Sequence, residues 1–297
     1  MPPATAVNLS PLSADALRDL LRRFLDEDIG QGDWTTEAIV RPDQRAAGEF
    51  LAKSPLVLAG IDFAMETFRL LDPKIEHEIL SHDGDRVPAG QTIARIRGRA
   101  QALLSAERVA LNLTQRLSGI ATLTRAYVDA VAGTGAAILD TRKTTPGLRA
   151  LEKYAVRAGG GTNHRVRLDD AILIKENHAR LAGGVGPAVR AAQAARRGDA
   201  RWLEVEVDSI AELDEALAEC PDAILVDNFT PEIARAAIAR ARKADPEHRI
   251  AIEASGGITL VNVRQFAEAG VDRISVGALT HSAPAADISL EIEPEKS

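Results

Sequence analysis

Short runs of β-branched and other apolar residues alternate with alanine-rich stretches in the second half of the chain. The runs have the length of strands, and the stretches between them have the apolar spacing of helices. Six runs are clear, at residues 136–141, 171–177, 202–209, 223–229, 250–257 and 273–279. The pattern predicts a repeated strand–helix unit and a parallel sheet that is covered by helices.

Residues that start or stop helices lie between these runs. Ser209 followed by Glu212 has the spacing of a capping box, and Thr230 precedes a proline at the first helical position. Gly270 follows the last apolar position of the segment FAEAG. These signals predict helices after the third, fourth and fifth runs.

Polar residues stand at the end of nearly every predicted strand, among them Asp140, Lys175, Asp227, Ser255 and Gly277. In a barrel these ends meet at one mouth, whereas an open doubly wound sheet would spread them along an edge. We therefore predict an α/β protein with a C-terminal (β/α) barrel, open and with about six strands.

The first part of the chain has a different pattern. Residues 74–81 and 91–98 alternate apolar with polar positions on either side of the turn-rich segment 83–90, which predicts two half-buried strands. Helical spacing over 103–133 predicts a helix that links two domains. We expect an N-terminal α+β domain over 1–117, joined by the C-terminal tail 281–297, and a barrel domain over 118–280.

Charge and cysteine content narrow the class of protein. The 36 lysines and arginines against 43 acidic residues give a net charge of −7, which disfavours nucleic acid or an anionic membrane as partner. The longest apolar stretches, such as Leu56 to Ile61, are too short to span a bilayer. The single cysteine, Cys220, fits a reducing compartment. We expect a cytoplasmic protein without a nucleic-acid or membrane partner.

Three carboxylates share one face of the third predicted strand, because side chains alternate along a strand: Glu204, Glu206 and Asp208. Such a face needs cations if it is buried, although an edge strand with its acidic face in water would have the same pattern. Asp227 ends the apolar run ILVD and would bring one more carboxylate to the mouth. Two acids from neighbouring strand ends suit Mg²⁺ that is otherwise held by water and phosphate oxygens.

Basic residues are concentrated near two predicted strand ends, at Arg142, Lys143, His164, Arg165 and Lys175. Each of them taken singly is typical of a solvated surface, but their grouping in an acidic protein indicates a polyanionic ligand. Arginine offers a planar fork for carboxylates, and lysine offers a compact charge for phosphate or pyrophosphate.

Two glycine-containing turns follow the last two predicted strands, one at Ser255, Gly256 and Gly257 and one at Val276, Gly277 and Ala278. Backbone N–H groups at the last strand ends of a barrel often form a phosphate site. Either turn alone is equally typical of a tight structural turn.

The motifs together resemble those of the quinolinate phosphoribosyltransferase family. The segments that carry the resemblance are EDIGQGDWTTEAI, SAERVALNLTQRLSGIAT, LDTRKTTPGLRALEKYAVRAGGGTNHRVRLDDAILIKENH, EVEVDS, ILVDNF, EASGGI and ISVGALTHSAPAADISLEI. The resemblance implies phosphoribosyl transfer from phosphoribosyl pyrophosphate to quinolinate with loss of CO₂. The products would be nicotinate mononucleotide and pyrophosphate, a step of de novo NAD biosynthesis.

The resemblance also implies roles for individual residues. Arg142, His164, Arg165 and Lys175 would contact the quinolinate carboxylates, and Lys143 with Lys175 would face pyrophosphate. Glu204 and Asp227 would hold the ribose hydroxyls and Mg²⁺, and the two glycine turns would bind the 5′-phosphate. The family's unit is a two-fold dimer, in which Arg108 of one subunit would reach the quinolinate of the other.

Three other functions remain open on the sequence. A nicotinate-type phosphoribosyltransferase would share the barrel, and the two arginines disfavour it because nicotinate has one carboxylate. Lys175 at a strand end would also suit a Schiff-base lyase. A non-catalytic phosphosugar-binding protein would not need two carboxylates with metal-binding potential.

Overall fold

The computed structural model describes residues 12–196 and 201–295. Its helices, in chain order, are α1 (Ala14–Ile29), α2 (Trp34–Ile39), α3 (Ile61–Leu71), α4 (Ala100–Ala130), α5 (Arg149–Ala158), α6 (Glu176–Ala182), α7 (Val185–Arg196), α8 (Ile210–Glu219), α9 (Pro231–Ala244), α10 (Val263–Ala269) and α11 (Ala278–His281). Its strands are β1 (Arg45–Ala52), β2 (Leu56–Val57), β3 (Glu76–Ile79), β4 (Arg86–Val87), β5 (Thr92–Arg99), β6 (Ala137–Leu139), β7 (Ile172–Ile174), β8 (Leu203–Val207), β9 (Ala223–Asp227), β10 (Ala251–Ser255), β11 (Arg273–Ser275) and β12 (Ile288–Pro294). None of the helices within these described ranges is long and apolar enough to cross a membrane.

The chain forms two compact units. Unit 1 takes in the chain up to Arg125, Thr145–Gly160 and the chain from Ser282 onward, and unit 2 takes in Ala126–Thr144 and Gly161–His281. The boundary at Arg125 falls inside the continuous helix α4, and the segment that contains α5 belongs to unit 1. The domain limits expected from the sequence, 1–117 and 118–280, stay a prediction about which parts fold independently.

Unit 1 is built on an antiparallel sheet with the strand order β12-β1-β5-β3. Strand β1 is central, and it pairs with β12 from Ala46 opposite Pro294 to Ala52 opposite Ile288. Alternate side chains of β1 are buried, and among them the Phe50 ring packs edge-on against Phe68 of α3 with 6.0 Å between ring centroids. The alternation predicted for residues 74–81 and 91–98 is confirmed by β3 and β5, which pair antiparallel.

The turn at residues 83–90 has a structural role in unit 1. Asp83 accepts hydrogen bonds from the backbone N–H groups of Gly60 (2.7 Å) and Ile61 (3.2 Å), so its carboxylate caps the start of α3, which has no side-chain cap of its own. The Tyr154 hydroxyl of α5 donates a further hydrogen bond to Asp83. Burial raises the pKa of the Asp83 carboxyl, and these three donors oppose the rise.

Unit 2 is built on a parallel sheet with the strand order β6-β11-β10-β9-β8-β7. An isolated parallel bridge joins Leu139 of β6 to Thr162 and extends the sheet beyond β6. All six strands predicted in this half are confirmed, and the sheet agrees with the predicted open barrel. The strands are shorter than the apolar runs because the polar residues that follow each run lie in loops.

Helix boundaries in unit 2 follow the predicted signals. The Ser209 hydroxyl accepts from the Glu212 N–H at the start of α8, and the Thr230 hydroxyl accepts from the Ile233 N–H at the start of α9. Gly270 ends α10 with a φ of 100°, which disfavours a residue with a Cβ. The helix predicted over 103–133 is confirmed by α4, which begins earlier, at Ala100.

The capping role of Asp83 gives a prediction about stability. Replacing Asp83 with alanine leaves two helix N–H groups and a tyrosine hydroxyl without their acceptor, so we expect a loss of about 2–4 kcal/mol in the free energy of unfolding. Tyr154→Phe removes one donor and should cost roughly 1 kcal/mol. Urea titrations measure both, with Asp43→Ala as the control because Asp43 is exposed. Equal stabilities of Asp83→Ala and the control would contradict the assignment.

Candidate active site

A cavity of about 340 Å³ lies in unit 2, where the carboxyl ends of the parallel strands meet. Its lining is mostly charged and polar, and it comes from strand ends and the loops that follow them. The lining residues are Thr141, Arg142, Lys143, His164, Arg165, Leu173, Lys175, Glu206, Leu225, Asp227, Glu253, Ser255 and Ser275. The five basic residues singled out in the sequence are therefore brought together at one mouth.

Two arginines give this cavity its strongest positive charge. Burial and the neighbouring charge of Arg142 lower the pKa of the Arg165 guanidinium. Arg165 donates through Nη1 to the Ala171 carbonyl at 3.1 Å, whereas the buried Nε of Arg142 has no hydrogen-bond partner in the part of the chain that the structure describes. Two guanidinium groups this close favour an anion between or beside them.

Two carboxylates and two lysines form a second cluster. Lys175 donates to Glu206 Oε2 at 2.7 Å. Burial, and then the charge of Glu206, raise the pKa of Asp227, while Lys175 and Lys143 lower it. Glu206 and Asp227 are therefore close enough to repel each other, which is the electrostatic setting in which a divalent cation is favourable.

Glu204 is buried behind the residues that line the cavity, and the role expected for it in holding Mg²⁺ stays a prediction. It shares the face of β8 with Glu206, but its side chain is 1% exposed and it is not among the residues that line the cavity. Two residues along a strand correspond to about 6–7 Å, so Glu204 lies one layer deeper in the sheet interior. Its Oε2 is 3.0 Å from Nε2 of His164. Glu206, which the sequence analysis left without a role, is the carboxylate of β8 that lines the cavity.

Glu253, at the floor of the cavity, lies on the central strand β10 and is fully buried. It accepts a hydrogen bond from the Ser275 hydroxyl, and its Oε2 is 3.1 Å from Nε of Arg273. Burial, and then the charge of Glu204, raise the pKa of Glu253 to about 7, while His164 and Arg273 oppose the rise. The local sequence pattern does not single out Glu253, because its partners come from other segments of the chain.

The two glycine turns lie side by side, since β10 and β11 are adjacent parallel strands. Gly256 has a φ of +86°, and a Cβ there would lie 2.8 Å from the backbone nitrogen of Asn228, so only glycine fits. The backbone N–H groups of Gly256, Gly257 and Gly277 make no hydrogen bond within residues 12–196 and 201–295. Unpaired N–H groups at adjacent strand ends suit a phosphate.

Arg108 belongs to unit 1, on helix α4. Its side chain is 58% exposed, and its nearest carboxylate is that of Glu107 at 3.9 Å. The structure of one chain thus shows a solvated arginine, and the role expected from the resemblance depends on a second subunit.

The fold and the cavity define an α/β-barrel enzyme that acts on polyanionic substrates, because arginines, lysines and unpaired backbone N–H groups converge with two carboxylates at the strand ends. The comparisons with known proteins are more specific. Residues 33–118 match the N-terminal domain of quinolinate phosphoribosyl transferase, and residues 120–291 match the C-terminal domain. The chain belongs to the quinolinate phosphoribosyltransferase family.

Individual relatives agree with this assignment over nearly the whole chain. The nicotinate-nucleotide pyrophosphorylase (carboxylating) of Mycobacterium leprae is 45% identical over 289 residues, which cover 96% of this chain and 100% of the relative. A probable enzyme of the same name from Bacillus subtilis is 46% identical, with 93% of each chain covered. The solved nicotinate-nucleotide pyrophosphorylase of Francisella tularensis has a TM-score of 0.88 and 39% identity, with 97% of this chain and 100% of that chain covered.

The raised pKa of Glu253 gives a prediction about pH. The pKa is about 7 in the folded protein against 4.5 when unperturbed, so between these values the folded state holds a proton that the unfolded state has lost. Stability relative to Glu253→Gln should therefore be greatest below 4.5, fall as the pH rises, and level off above 7. Urea unfolding of both proteins across this range measures the difference. A difference that does not change with pH would contradict the raised pKa.

Proposed function

We propose that the cavity of unit 2 binds quinolinate and phosphoribosyl pyrophosphate together and that its residues divide the two substrates between them. The chain catalyses quinolinate phosphoribosyl transfer, which produces nicotinate mononucleotide for NAD biosynthesis. The observation that carries the substrate assignment is the pair of neighbouring guanidiniums, Arg142 and Arg165, one of which has a buried Nε without a partner among the described residues. Two arginines match the two adjacent carboxylates of quinolinate.

Quinolinate is held by Arg142 and Arg165, with Lys175 at the edge of the same cavity. The sequence analysis also gave His164 to this group. Both ring nitrogens of His164 are engaged within the protein, Nδ1 by the Arg165 N–H at 2.7 Å and Nε2 by Glu204 at 3.0 Å. His164 therefore lines the cavity with both ring nitrogens already engaged, and the arginines make the direct contacts with the quinolinate carboxylates.

Phosphoribosyl pyrophosphate is held by groups that lie along the same mouth. Lys143 and Lys175 face the pyrophosphate, and the turns at Ser255–Gly257 and Val276–Ala278 supply N–H groups to the 5′-phosphate. The cavity position of Glu206 makes it, in place of Glu204, the partner of Asp227 in holding the ribose hydroxyls and Mg²⁺. Such an ion, when bound, would offset the charge of the pyrophosphate.

The reaction requires no covalent nucleophile on the protein. The bond from the anomeric carbon to pyrophosphate breaks with both electrons leaving on oxygen, and the pyridine nitrogen of quinolinate forms the new bond with its lone pair. The adjacent carboxylate then departs as CO₂, and the electron pair of the broken C–C bond stays on the ring carbon, where the positive nitrogen beside it stabilises the charge. That carbon takes up a proton from water to give nicotinate mononucleotide. The protein contributes positioning and fixed positive charge near the leaving pyrophosphate, through Lys143 and Lys175.

The alternatives fit the site less well. A Schiff-base lyase needs a lysine with a free lone pair, whereas Lys175 shares its ammonium protons with Glu206. Human nicotinic acid phosphoribosyltransferase has the same fold, with a TM-score of 0.61 over 98% of this chain and 74% of that chain, but at 11% identity this likeness concerns the fold alone. A non-catalytic phosphosugar-binding protein has no use for a second anion site built from two arginines.

The functional unit that we propose is a homodimer, or a multiple of it, in which each subunit gives Arg108 to the quinolinate of the other. A two-fold dimer makes this exchange reciprocal. Arg108 is exposed on α4 and its ion pair with Glu107 is long, at 3.9 Å, which supports a contact that lies outside the single chain.

Substrate choice tests the paired arginines. The purified protein should release CO₂ and form nicotinate mononucleotide only when quinolinate, phosphoribosyl pyrophosphate and Mg²⁺ are all present. Nicotinic acid lacks one carboxylate and leaves a half-buried guanidinium without its anion, so its kcat/KM should be lower by roughly a thousandfold or more. Comparable turnover of the two acids would contradict the assignment, and borohydride trapping of a carbonyl substrate on Lys175 would favour the lyase.

The choice of Glu206 over Glu204 is tested by the dependence on Mg²⁺. Glu206→Gln should raise the Mg²⁺ concentration for half-maximal activity by roughly tenfold or more, because the charge next to Asp227 is lost. Glu204→Gln should leave that concentration within about twofold, because Glu204 lies behind the cavity. Activity is measured over a Mg²⁺ titration at saturating substrates. The opposite order of the two variants would restore the assignment made from the sequence.

Mixing two inactive variants tests the shared site. Arg108→Ala and Lys143→Ala should each be nearly inactive yet folded, since both side chains are exposed. After subunit exchange, about half the dimers are mixed and one of their two sites is intact, so activity should return to about one quarter of wild type. If Arg108 acts within its own chain, every site keeps a lesion. An inactive mixture in which exchange is demonstrated by mass labelling would then refute the shared site.

A further inference from the structure

The barrel interior contains a buried group of titratable residues that the reaction does not use directly. His164, Glu204 and Glu253 bring one ring nitrogen and two carboxylates within 4.8 Å of one another. His164 Nε2 is 3.0 Å from Glu204 Oε2 and 3.7 Å from Glu253 Oε1. An imidazole and two carboxylates at this spacing are a common metal-binding set, so the group holds either a metal ion or a proton.

The hydrogen bond at the second ring nitrogen of His164, Nδ1, distinguishes a metal ion from a proton at this group. The backbone N–H of Arg165 donates to Nδ1 at 2.7 Å, so Nδ1 has its lone pair directed at a donor and carries no proton. A neutral ring in this position has its proton on Nε2, directed at the two carboxylates. A metal-bound histidine has the reverse arrangement, because its free ring nitrogen carries the proton and donates it to an acceptor. The observed hydrogen bond at Nδ1 therefore favours a proton on Nε2 over a bound metal ion.

We propose that Glu204 and Glu253 are positioning residues that keep His164 in the Nε2–H tautomer, so that Nδ1 remains the acceptor that fixes the Arg165 backbone for quinolinate binding. The proposal rests on the assignment of Arg165 to quinolinate made above. It gives this buried acidic pair a role in substrate binding that acts through His164.

The surroundings of Arg165 show why its backbone needs this anchor. The preceding segment is tied to Asp140, which accepts from the Asn163 side chain at 2.6 Å and from the His164 N–H at 2.9 Å. After Arg165 the chain enters an exposed loop. The Nδ1 contact is thus the last anchor before that loop, and with the Ala171 carbonyl on Nη1 it holds both ends of Arg165. Loss of this anchor would release the guanidinium from its place beside Arg142.

Two substitutions at His164 separate the two ring nitrogens. An asparagine amide lies as many bonds from Cα as Nδ1 does, so His164→Asn can accept from the Arg165 N–H without any tautomer to control. A glutamine amide reaches the position of Nε2 and leaves that N–H without its acceptor. The KM for quinolinate should rise by less than about fivefold in His164→Asn and by roughly tenfold or more in His164→Gln. The KM for phosphoribosyl pyrophosphate should stay within about twofold in both.

A double-mutant cycle tests the acidic pair. Glu253→Leu should raise the KM for quinolinate by roughly tenfold in the wild-type background and by less than about twofold in His164→Asn, where no ring remains to be oriented. Glu253→Gln, which keeps an acceptor, should raise it less than Glu253→Leu. Glu247→Leu is the control, because Glu247 is exposed. Equal effects of Glu253→Leu in both backgrounds would indicate a general structural role and overturn the proposal.

Two measurements on the wild-type protein test the proposal even if a variant fails to fold. Nitrogen NMR of the six histidines, with His164 assigned from its asparagine variant, should show the Nε2–H tautomer. Elemental analysis after dialysis against Zn²⁺ or Mn²⁺ should give the same metal content for the wild type, His164→Asn and Glu253→Gln. A metal ion present in the wild type and lost in both variants would show that the cluster binds it. An Nδ1–H tautomer or such an ion overturns the proposal, whereas absence of quinolinate-dependent CO₂ release by the wild type overturns the proposed function itself.

Discussion

The acidic face of β8 is the constraint on which the site depends. A parallel strand covered on both sides has no solvent in which to place Glu204 and Glu206, so each must find a positive or donating partner inside the sheet or at its mouth. His164 provides that partner in the interior, and Lys175 provides it at the strand end. Both basic residues thus serve as partners for the carboxylates of a single strand, β8.

The same pairing has a consequence for selectivity. The interior acids occupy His164 and Arg273, and Arg273 also stacks on Trp202 at 5.4 Å from the ring centroid. Arg142 and Arg165 line the cavity near one another, and neither guanidinium forms an ion pair with a carboxylate of the described residues. The barrel therefore neutralises its internal charge with one set of cations and leaves a second set for ligands. Dicarboxylates and phosphates are the anions that such a set can hold.

The sequence predicted the strands of unit 2 because their apolar runs are continuous and their ends are polar. It could not choose between Glu204 and Glu206, since alternation assigns a face but not a depth within the sheet. The partners of Glu253 come from three other segments of the chain, and a local sequence pattern cannot predict such contacts. Strands β1 and β12 were not predicted for a related reason. Their pairing joins residues more than 230 positions apart, such as Ala52 and Ile288.

The position of β12 also affects how the chain folds during synthesis. Strand β1 is made before the strands of unit 2, yet one of its two neighbours in the sheet, β12, is made after them. Until that strand leaves the ribosome, β1 is an unprotected sheet edge, which is the kind of edge on which chains aggregate. Unit 2 has all its strands before then. The later unit in the sequence can thus complete its sheet first, and the sheet of unit 1 is completed only after β12 has been made.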